Sequence, residues 1–149
     1  MSTLTPFDTQ ISAIAEEVFA AMIDGEPGHL VALPDGAPLT DPVYAWVDMH
    51  AGVTGRALLA TDVATAHDLA RALLQMGADE PVGEADLVDA FGEVANVVGG
   101  NLKALLPVQG TLTLPQVGRE RPDLSGATQV DAVALMWRGQ PLDITVWQI

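Results

Sequence analysis

The chain has 149 residues, of which 49% are hydrophobic and 17% are charged, and such a composition indicates a folded globule and not a disordered chain. It contains no cysteine, which excludes disulfides, thiol nucleophiles and cysteine-ligated metals. The formal net charge is −14 with only six Lys and Arg residues, so nucleic acid is not expected as a partner. The length fits a single domain over residues 1–149.

The first part of the chain predicts a helix followed by a hairpin. Apolar residues recur every three or four positions from Asp8 to Ile23, the pattern of an amphipathic helix, and the helix is expected to end at Gly25. The next stretch is rich in Gly and Pro and is predicted to be mostly loop, with a short strand allowed at Leu30 to Leu33. Two short segments rich in β-branched and aromatic residues, Val43 to Met49 and Val53 to Ala60, then predict the hairpin.

Two further helices are predicted in the middle of the chain. The first runs from Asp62 to Met76, with Thr61 or Asp62 as its cap. The acidic segment Glu84 to Asp89 leads into the second, Phe91 to Leu106, which the following proline ends.

The last third of the chain predicts three strands. They are Thr111 to Leu114, which is expected to end at Pro115, and a hairpin of Thr128 to Trp137 with Leu142 to Trp147. Helices grouped between runs of neighbouring strands predict an α+β fold, in which five main strands form one antiparallel-rich sheet covered by α-helices.

The third helix, FGEVANVVGGNLKALL, contains Gly92, Gly99 and Gly100, although each glycine inside a helix costs roughly 1 kcal/mol relative to alanine. On a helical wheel its apolar residues share one sector, and Glu93 and Asn96 fall opposite that sector. One interpretation is that the three glycines flank the Glu93/Asn96 surface and leave room for a partner. The alternative is a solvated polar face whose glycines allow tight helix packing.

Glu93 and Asn96 are three residues apart, so their side chains are neighbours on one surface. The carboxylate can pair with a cation, and the carboxamide can donate and accept hydrogen bonds and hold a water molecule in a fixed orientation. Asn101 lies at the edge of the apolar sector, where a buried amide needs backbone partners, and it is interpreted as structural.

The segment from Glu93 to Asn101 resembles the E-x-x-N-x-x-x-G-N signature of the CheC/CheX/FliY group of chemotaxis phosphatases. The predicted order of elements is similar as well, since the helix is followed by a turn and the proline-containing segment GTLTLPQVG. The resemblance implies a CheC-like fold. It also implies hydrolysis of the aspartyl phosphate on a CheY-like receiver domain.

What the resemblance implies for single residues follows from the motif. Glu93 is the docking acid that pairs with a lysine of the partner, and Asn96 orients the attacking water. Mg²⁺ is expected on the phosphorylated partner, with no cofactor in this chain. Separately from the resemblance, the helical wheel assigns Gly92, Gly99 and Gly100 to partner contact, because they flank the Glu93/Asn96 surface.

The first helix lacks a second motif, because Ala20 follows Glu17 where an amide is required. The chain therefore resembles single-site CheX more than two-site CheC, and the likeness to CheX implies a homodimer.

Two other functions are compatible with the same sequence features. A non-catalytic module of the same fold that docks a receiver or a motility component is the main alternative, and an acidic structural protein is a third. His29, His50 and His67 are isolated, so a metal site is not expected.

The location of the protein is predicted from two negative features of the sequence. No apolar run approaches the roughly 18 residues that span a bilayer. The segment MSTLTPFDTQ has no cationic region before an apolar stretch. We therefore expect no membrane insertion and a cytoplasmic protein.

Overall fold

The computed structural model describes residues 10–149, and the predicted helical positions Asp8 and Thr9 lie outside the described residues. Within this range a seven-stranded sheet is combined with three α-helices. Every strand pair is antiparallel. The predicted α+β class is therefore confirmed.

The three α-helices are α1 (Gln10–Phe19), α2 (Val63–Leu73) and α3 (Glu84–Lys103). After α1 the chain makes one π-helical turn, Ala20–Asp24, and the helix stops at Gly25 with a left-handed φ of 73°. The acidic segment forms the first turns of α3 and does not precede it, because carboxylates there interact favourably with the helix dipole. α3 also ends three residues before the predicted Leu106.

The strands follow the sheet order β1-β6-β7-β3-β2-β4, with β5 also paired to β2. In chain order they are β1 (Leu30–Ala32), β2 (Pro42–His50), β3 (Thr54–Asp62), β4 (Thr111–Leu112), β5 (Gln116–Gly118), β6 (Thr128–Trp137) and β7 (Gln140–Gln148). Both predicted hairpins, β2–β3 and β6–β7, are present and paired along their length.

The predicted strand Thr111 to Leu114 is wrong in its extent. The structure has two short strands there, β4 and β5, and both pair with β2. Between them Thr113 is fixed to Asp48 by two hydrogen bonds of 2.9 Å: the Asp48 amide donates to Thr113 Oγ1, and the Thr113 amide donates to the Asp48 carbonyl. The chain therefore stays on the sheet edge past Pro115.

Asp62 lies at the start of α2, as predicted, but its side chain does not cap that helix. Its carboxylate instead accepts hydrogen bonds from the backbone amides of Thr40, at 2.7 Å, and Asp41, at 2.9 Å. The other candidate cap, Thr61, is buried and donates to the carbonyl of Pro141 at 2.7 Å. These bonds fix the loop before β2 and the end of β3.

The core lies between one face of the sheet and the three helices. Alternate residues of β2, β3 and β7 are buried against the helices, as the period of a half-buried strand requires. The largest fully buried side chains are Trp137, Phe19, Phe91, Ile11, Met49, Leu59, Leu69, Leu87, Leu102, Leu135, Leu142 and Ile144. α3 supplies three of them and packs against β2 and β3, so its opposite face points away from the sheet.

Candidate functional site

α3 is the helix that carries the candidate site, and its buried face matches the predicted one over most of its length. The buried residues are Leu87, Ala90, Phe91, Gly92, Val94, Ala95, Val98, Gly99 and Leu102. Leu105 and Leu106, which were expected on that face, lie beyond the end of the helix, and Leu105 is exposed. The early end of α3 explains this difference.

Glu93 and Asn96 lie on the outer side of α3, Glu93 exposed and Asn96 half-buried. Neither side chain has a hydrogen bond or an ion pair within residues 10–149. The cation of α3, Lys103, contacts the carbonyl of Gly110 at 3.3 Å, and Arg119 is held by Glu84 at 2.9 Å. The carboxylate and the carboxamide are therefore free to bind groups of another molecule.

Gly92 and Gly99 are not on that surface, which corrects their assignment to partner contact. Both are buried against the sheet edge. A Cβ at Gly92 would lie 3.5 Å from the side chains of Pro115 and Val117, and a Cβ at Gly99 would overlap Val47 Cγ2. These two glycines permit close packing of the helix on the sheet, as the alternative interpretation held.

Gly100 differs from the other two because it is only partly covered. A Cβ there would have one neighbour within 4 Å, Leu112 Cδ2 at 3.9 Å, which is an ordinary contact. Gly100 therefore stays a candidate for partner contact.

Asn101 is exposed, contrary to its predicted burial, but it does have the backbone partner that was expected. Its Nδ2 donates to the carbonyl of Val97 at 2.8 Å. Asn101 and Val97 line a groove between α1 and α3, opposite Glu17. The side chain is thus committed to its own helix.

The structure also bears on the histidines as metal ligands and on membrane insertion. No set of three or more His, Asp or Glu residues within residues 10–149 is arranged to hold a metal ion. His29 contacts Glu26 at 2.9 Å, and His50 contacts Thr54 at 3.1 Å. None of the helices in the described part has the length and apolar character to cross a membrane.

The segment Leu112 to Pro115, which the sequence predicts only as the end of a strand, lies beside the candidate site. Leu112 packs at Gly99 and Gly100, and Pro115 packs at Gly92, so this segment runs along α3 beside Glu93 and Asn96. Its place depends on pairing with β2, more than 60 residues earlier in the chain, and the local sequence gives no signal for it.

The family model described as "Chemotaxis phosphatase CheX" matches residues 43–133, which is more than half of the chain. The chain belongs to the CheX family. The matched region includes α3 and therefore Glu93 and Asn96. No match to a curated protein sequence was found.

Solved structures with the same fold come from several bacteria. A chain of the crystal structure of the CheX–CheY–BeF3–Mg²⁺ complex from Borrelia burgdorferi has a TM-score of 0.73 at 19% identity, covering 97% of this chain and 99% of that chain. Chemotaxis protein CheX from Vibrio vulnificus has a TM-score of 0.72 at 16% identity, covering 100% of both chains. FliY from Thermotoga maritima has a TM-score of 0.62 at 14% identity, covering 98% of this chain and 91% of that chain. These similarities establish the CheX/CheC-like fold.

Proposed function

We propose that this protein hydrolyses the aspartyl phosphate of a CheY-like response-regulator receiver domain. The observation that carries the proposal is the pair Glu93 and Asn96, one helical turn apart and without partners within residues 10–149. Membership of a chemotaxis phosphatase family supports the proposal of phosphatase activity. The B. burgdorferi complex, in which a chain of this fold is found with CheY, BeF3 and Mg²⁺, supports a CheY-like partner.

Glu93 is the docking acid in this proposal. It is exposed and lacks an internal cation, so it can pair with a lysine beside the acyl phosphate of the receiver. A charge-assisted hydrogen bond is stronger than a neutral one, and it sets the position of α3 over the phosphoryl group. Gly100 lets the partner approach the helix on the same side.

Asn96 orients the attacking water. The water oxygen attacks phosphorus in line, the P–O bond to the aspartate breaks, and the products are the free carboxylate and inorganic phosphate, with the water proton passing to phosphate or solvent. The carboxamide of Asn96 cannot act as a general base. The loose transition state of phosphoryl transfer does not depend on one, because it needs mainly positioning of the water and charge stabilisation. Mg²⁺ on the partner would neutralise the charge on the phosphoryl oxygens.

The homodimer and the cytoplasmic location expected from the sequence remain predictions.

The decisive experiment measures phosphate release from purified receiver domains, phosphorylated in the presence of Mg²⁺, with this protein at substoichiometric concentration. We expect multiple turnovers from the parent protein. Asn96→Ala should reduce turnover by about 100-fold or more, as loss of one positioned donor does in other enzymes, and should leave receiver binding unchanged. Gln129→Ala, which removes an exposed amide on β6, is the matched control and should keep full activity.

The alternatives give different results in the same assay. A non-catalytic docking module binds the receiver but does not shorten the lifetime of its phosphate. A structural protein neither binds the receiver nor releases phosphate. An Asn96→Ala variant as active as the parent on every receiver tested would contradict the catalytic role of Asn96.

A further inference from the structure

Leu114 is the most exposed of the large hydrophobic side chains within residues 10–149, with 86% of its surface accessible. The next most exposed are Val108 and Ile149, at 51%. A single exposed leucine is not unusual in a soluble protein. Its significance therefore depends on how it is held and on what lies beside it.

The segment that carries Leu114 is fixed on both sides. Before it, Thr113 makes two hydrogen bonds with the backbone of Asp48, and Leu112 packs on α3 at Gly99. After it, Pro115 packs on α3 at Gly92. Leu114 is thus presented to solvent from an anchored backbone, and little conformational entropy would be lost when another molecule covers it.

The same contacts place Leu114 beside the candidate site. Gly92 directly precedes Glu93, and Gly99 follows Asn96 by about one turn, so the anchored segment runs antiparallel alongside the part of α3 that carries both side chains. Val88 lies four residues before Gly92, hence on the same side of the helix, and 37% of its surface is accessible. Val88 and the segment that carries Leu114 therefore both lie on the side of α3 that packs on the sheet edge.

Apart from the single ion pair expected of Glu93, charge adds little affinity on this surface. The chain carries a net charge of −14, and α3 adds exposed Asp86 and Asp89 to Glu93. Such a surface selects a cation and affects the association rate, whereas buried apolar area contributes the affinity. A molecule whose cation reaches Glu93 lies over α3, and the segment that carries Leu114 packs along the same helix.

We propose that Leu114, assisted by Val88, is an apolar docking contact for the receiver domain whose phosphate Glu93 and Asn96 address. The inference rests on the proposed function, because the receiver is the occupant that the neighbouring Glu93/Asn96 pair selects. It implies that the receiver carries a complementary apolar patch next to the lysine and the acyl phosphate.

The test compares Leu114→Ser with Val31→Ser. Val31 is also an exposed apolar residue, but it lies on β1 at the opposite edge of the sheet. Binding is measured to a receiver domain loaded with beryllofluoride and Mg²⁺, and hydrolysis is measured on the phosphorylated receiver. Leu114→Ser should raise Kd and the half-maximal receiver concentration by about tenfold or more while kcat stays within about twofold. Val88→Ser should produce a smaller rise of about threefold, and Val31→Ser no change.

The outcomes separate this inference from the proposed function. If the parent hydrolyses the phosphorylated receiver and Leu114→Ser binds as tightly as the parent, the docking contact is wrong and the phosphatase function stands. If the parent binds without hydrolysis and Leu114→Ser weakens that binding, the docking contact is supported and the phosphatase function fails. A parent that binds no receiver overturns both. Thermal unfolding curves that coincide for parent and variants establish that folding is unaffected.

Discussion

At the scale of single residues, Glu93 and Asn96 differ in what they can contribute although they are neighbours on one helix surface. Both lack partners within residues 10–149, so neither is needed to satisfy a buried polar group. Glu93 carries a full charge and is exposed, whereas Asn96 is half-buried and neutral. Removing either side chain should therefore leave the free energy of unfolding nearly unchanged, within about 1 kcal/mol.

Replacing the charge of Glu93 tests its role in docking. Glu93→Gln keeps the size of the side chain but loses the ion pair, and we expect the half-maximal receiver concentration to rise by about tenfold, since a hydrogen bond to a charged group contributes about 1.5–3 kcal/mol. Turnover should slow as well if α3 is no longer held in place over the phosphate. The measurement is steady-state phosphate release as a function of receiver concentration.

Salt provides an internal check on the Glu93 experiment. Because added salt screens exposed charges, the difference between the parent and Glu93→Gln should shrink as ionic strength rises. Glu80→Gln, an exposed acid after α2, is the control and should not alter the half-maximal concentration. An unchanged half-maximal concentration for Glu93→Gln would refute the docking role.

At the scale of elements, α3 illustrates which features the sequence could predict. Its apolar side chains repeat with the helical period, so the buried and exposed faces could be assigned, and Glu93 and Asn96 are indeed on the outside. For the glycines the sequence could not decide between the two faces. A residue without a side chain is compatible with a surface open to a partner and also with close packing of the helix on the sheet. Contact with Val47 and Pro115 decides the matter, and those contacts join parts of the chain far apart in sequence.

The two adjacent glycines of α3 should respond differently to alanine. Gly99→Ala places a methyl group against the fully buried, β-branched Val47, and overpacking of this kind costs about 1–3 kcal/mol, which outweighs the gain in helix propensity of about 1 kcal/mol. Gly100→Ala gains the propensity and meets Leu112 at an ordinary distance. In urea or thermal unfolding, Gly99→Ala should be less stable than the parent and Gly100→Ala at least as stable. Equal destabilisation of both variants would contradict the difference in packing.

The sheet edge formed by β4 and β5 marks the limit of sequence prediction for the strands. The long hairpins could be predicted because their alternating burial and their turns are local, and at the β6–β7 turn both Arg138 and Gly139 have positive φ, 48° and 81°. Around Thr113 the pairing is irregular, because the Asp48 amide donates to Thr113 Oγ1 and not to a backbone carbonyl, although the Thr113 amide still donates to the Asp48 carbonyl. The position of Leu114 follows from that distant pairing and could not be read from the neighbouring residues.

At the scale of the whole molecule, the two faces of the sheet have different environments. One face is covered by the three helices and holds the core. On the other face Arg56 lies 5.9 Å from the ring centre of Trp46, and Arg121 lies 5.4 Å from that of Trp147. Arg56 also pairs with Asp48 at 2.7 Å, and this hydrogen bond raises the pKa of the guanidinium. The helix-free face therefore carries arginine and tryptophan side chains that partly cover one another.

Asp143 lies on this face without an ion pair to any residue of the described range 10–149, and it makes the stability of the protein depend on pH. It lies in the middle of β7, between Ala60 and Ala134, in a hollow that Tyr44 and Arg121 also line. Partial burial raises its pKa above the usual value of 3.8, because desolvation penalises the charged form. The folded state then binds the proton more tightly than the unfolded state, so this group lowers the free energy of unfolding as pH rises from about 3.8 through the raised pKa.

Asp143→Asn removes the titrating charge and should therefore make the protein more stable than the parent at neutral pH. The difference should be constant above the raised pKa of Asp143 and should decrease on acidification through that pKa toward 3.8, because the parent carboxyl becomes protonated in both states only below the usual value of 3.8. Unfolding by urea, measured from pH 7 to pH 4, gives this dependence directly. Asp123→Asn is expected to have the opposite effect, because hydrogen bonds from Ser125 lower the pKa of Asp123. The charge of Asp123 stabilises the folded state at neutral pH, and this contribution is lost as pH falls through the lowered pKa. Asp123→Asn should therefore be less stable than the parent at pH 7. If Asp143→Asn is instead less stable than the parent at pH 7, the carboxylate of Asp143 is compensated by Arg121 across the hollow, and burial is not the dominant effect on this face of the sheet.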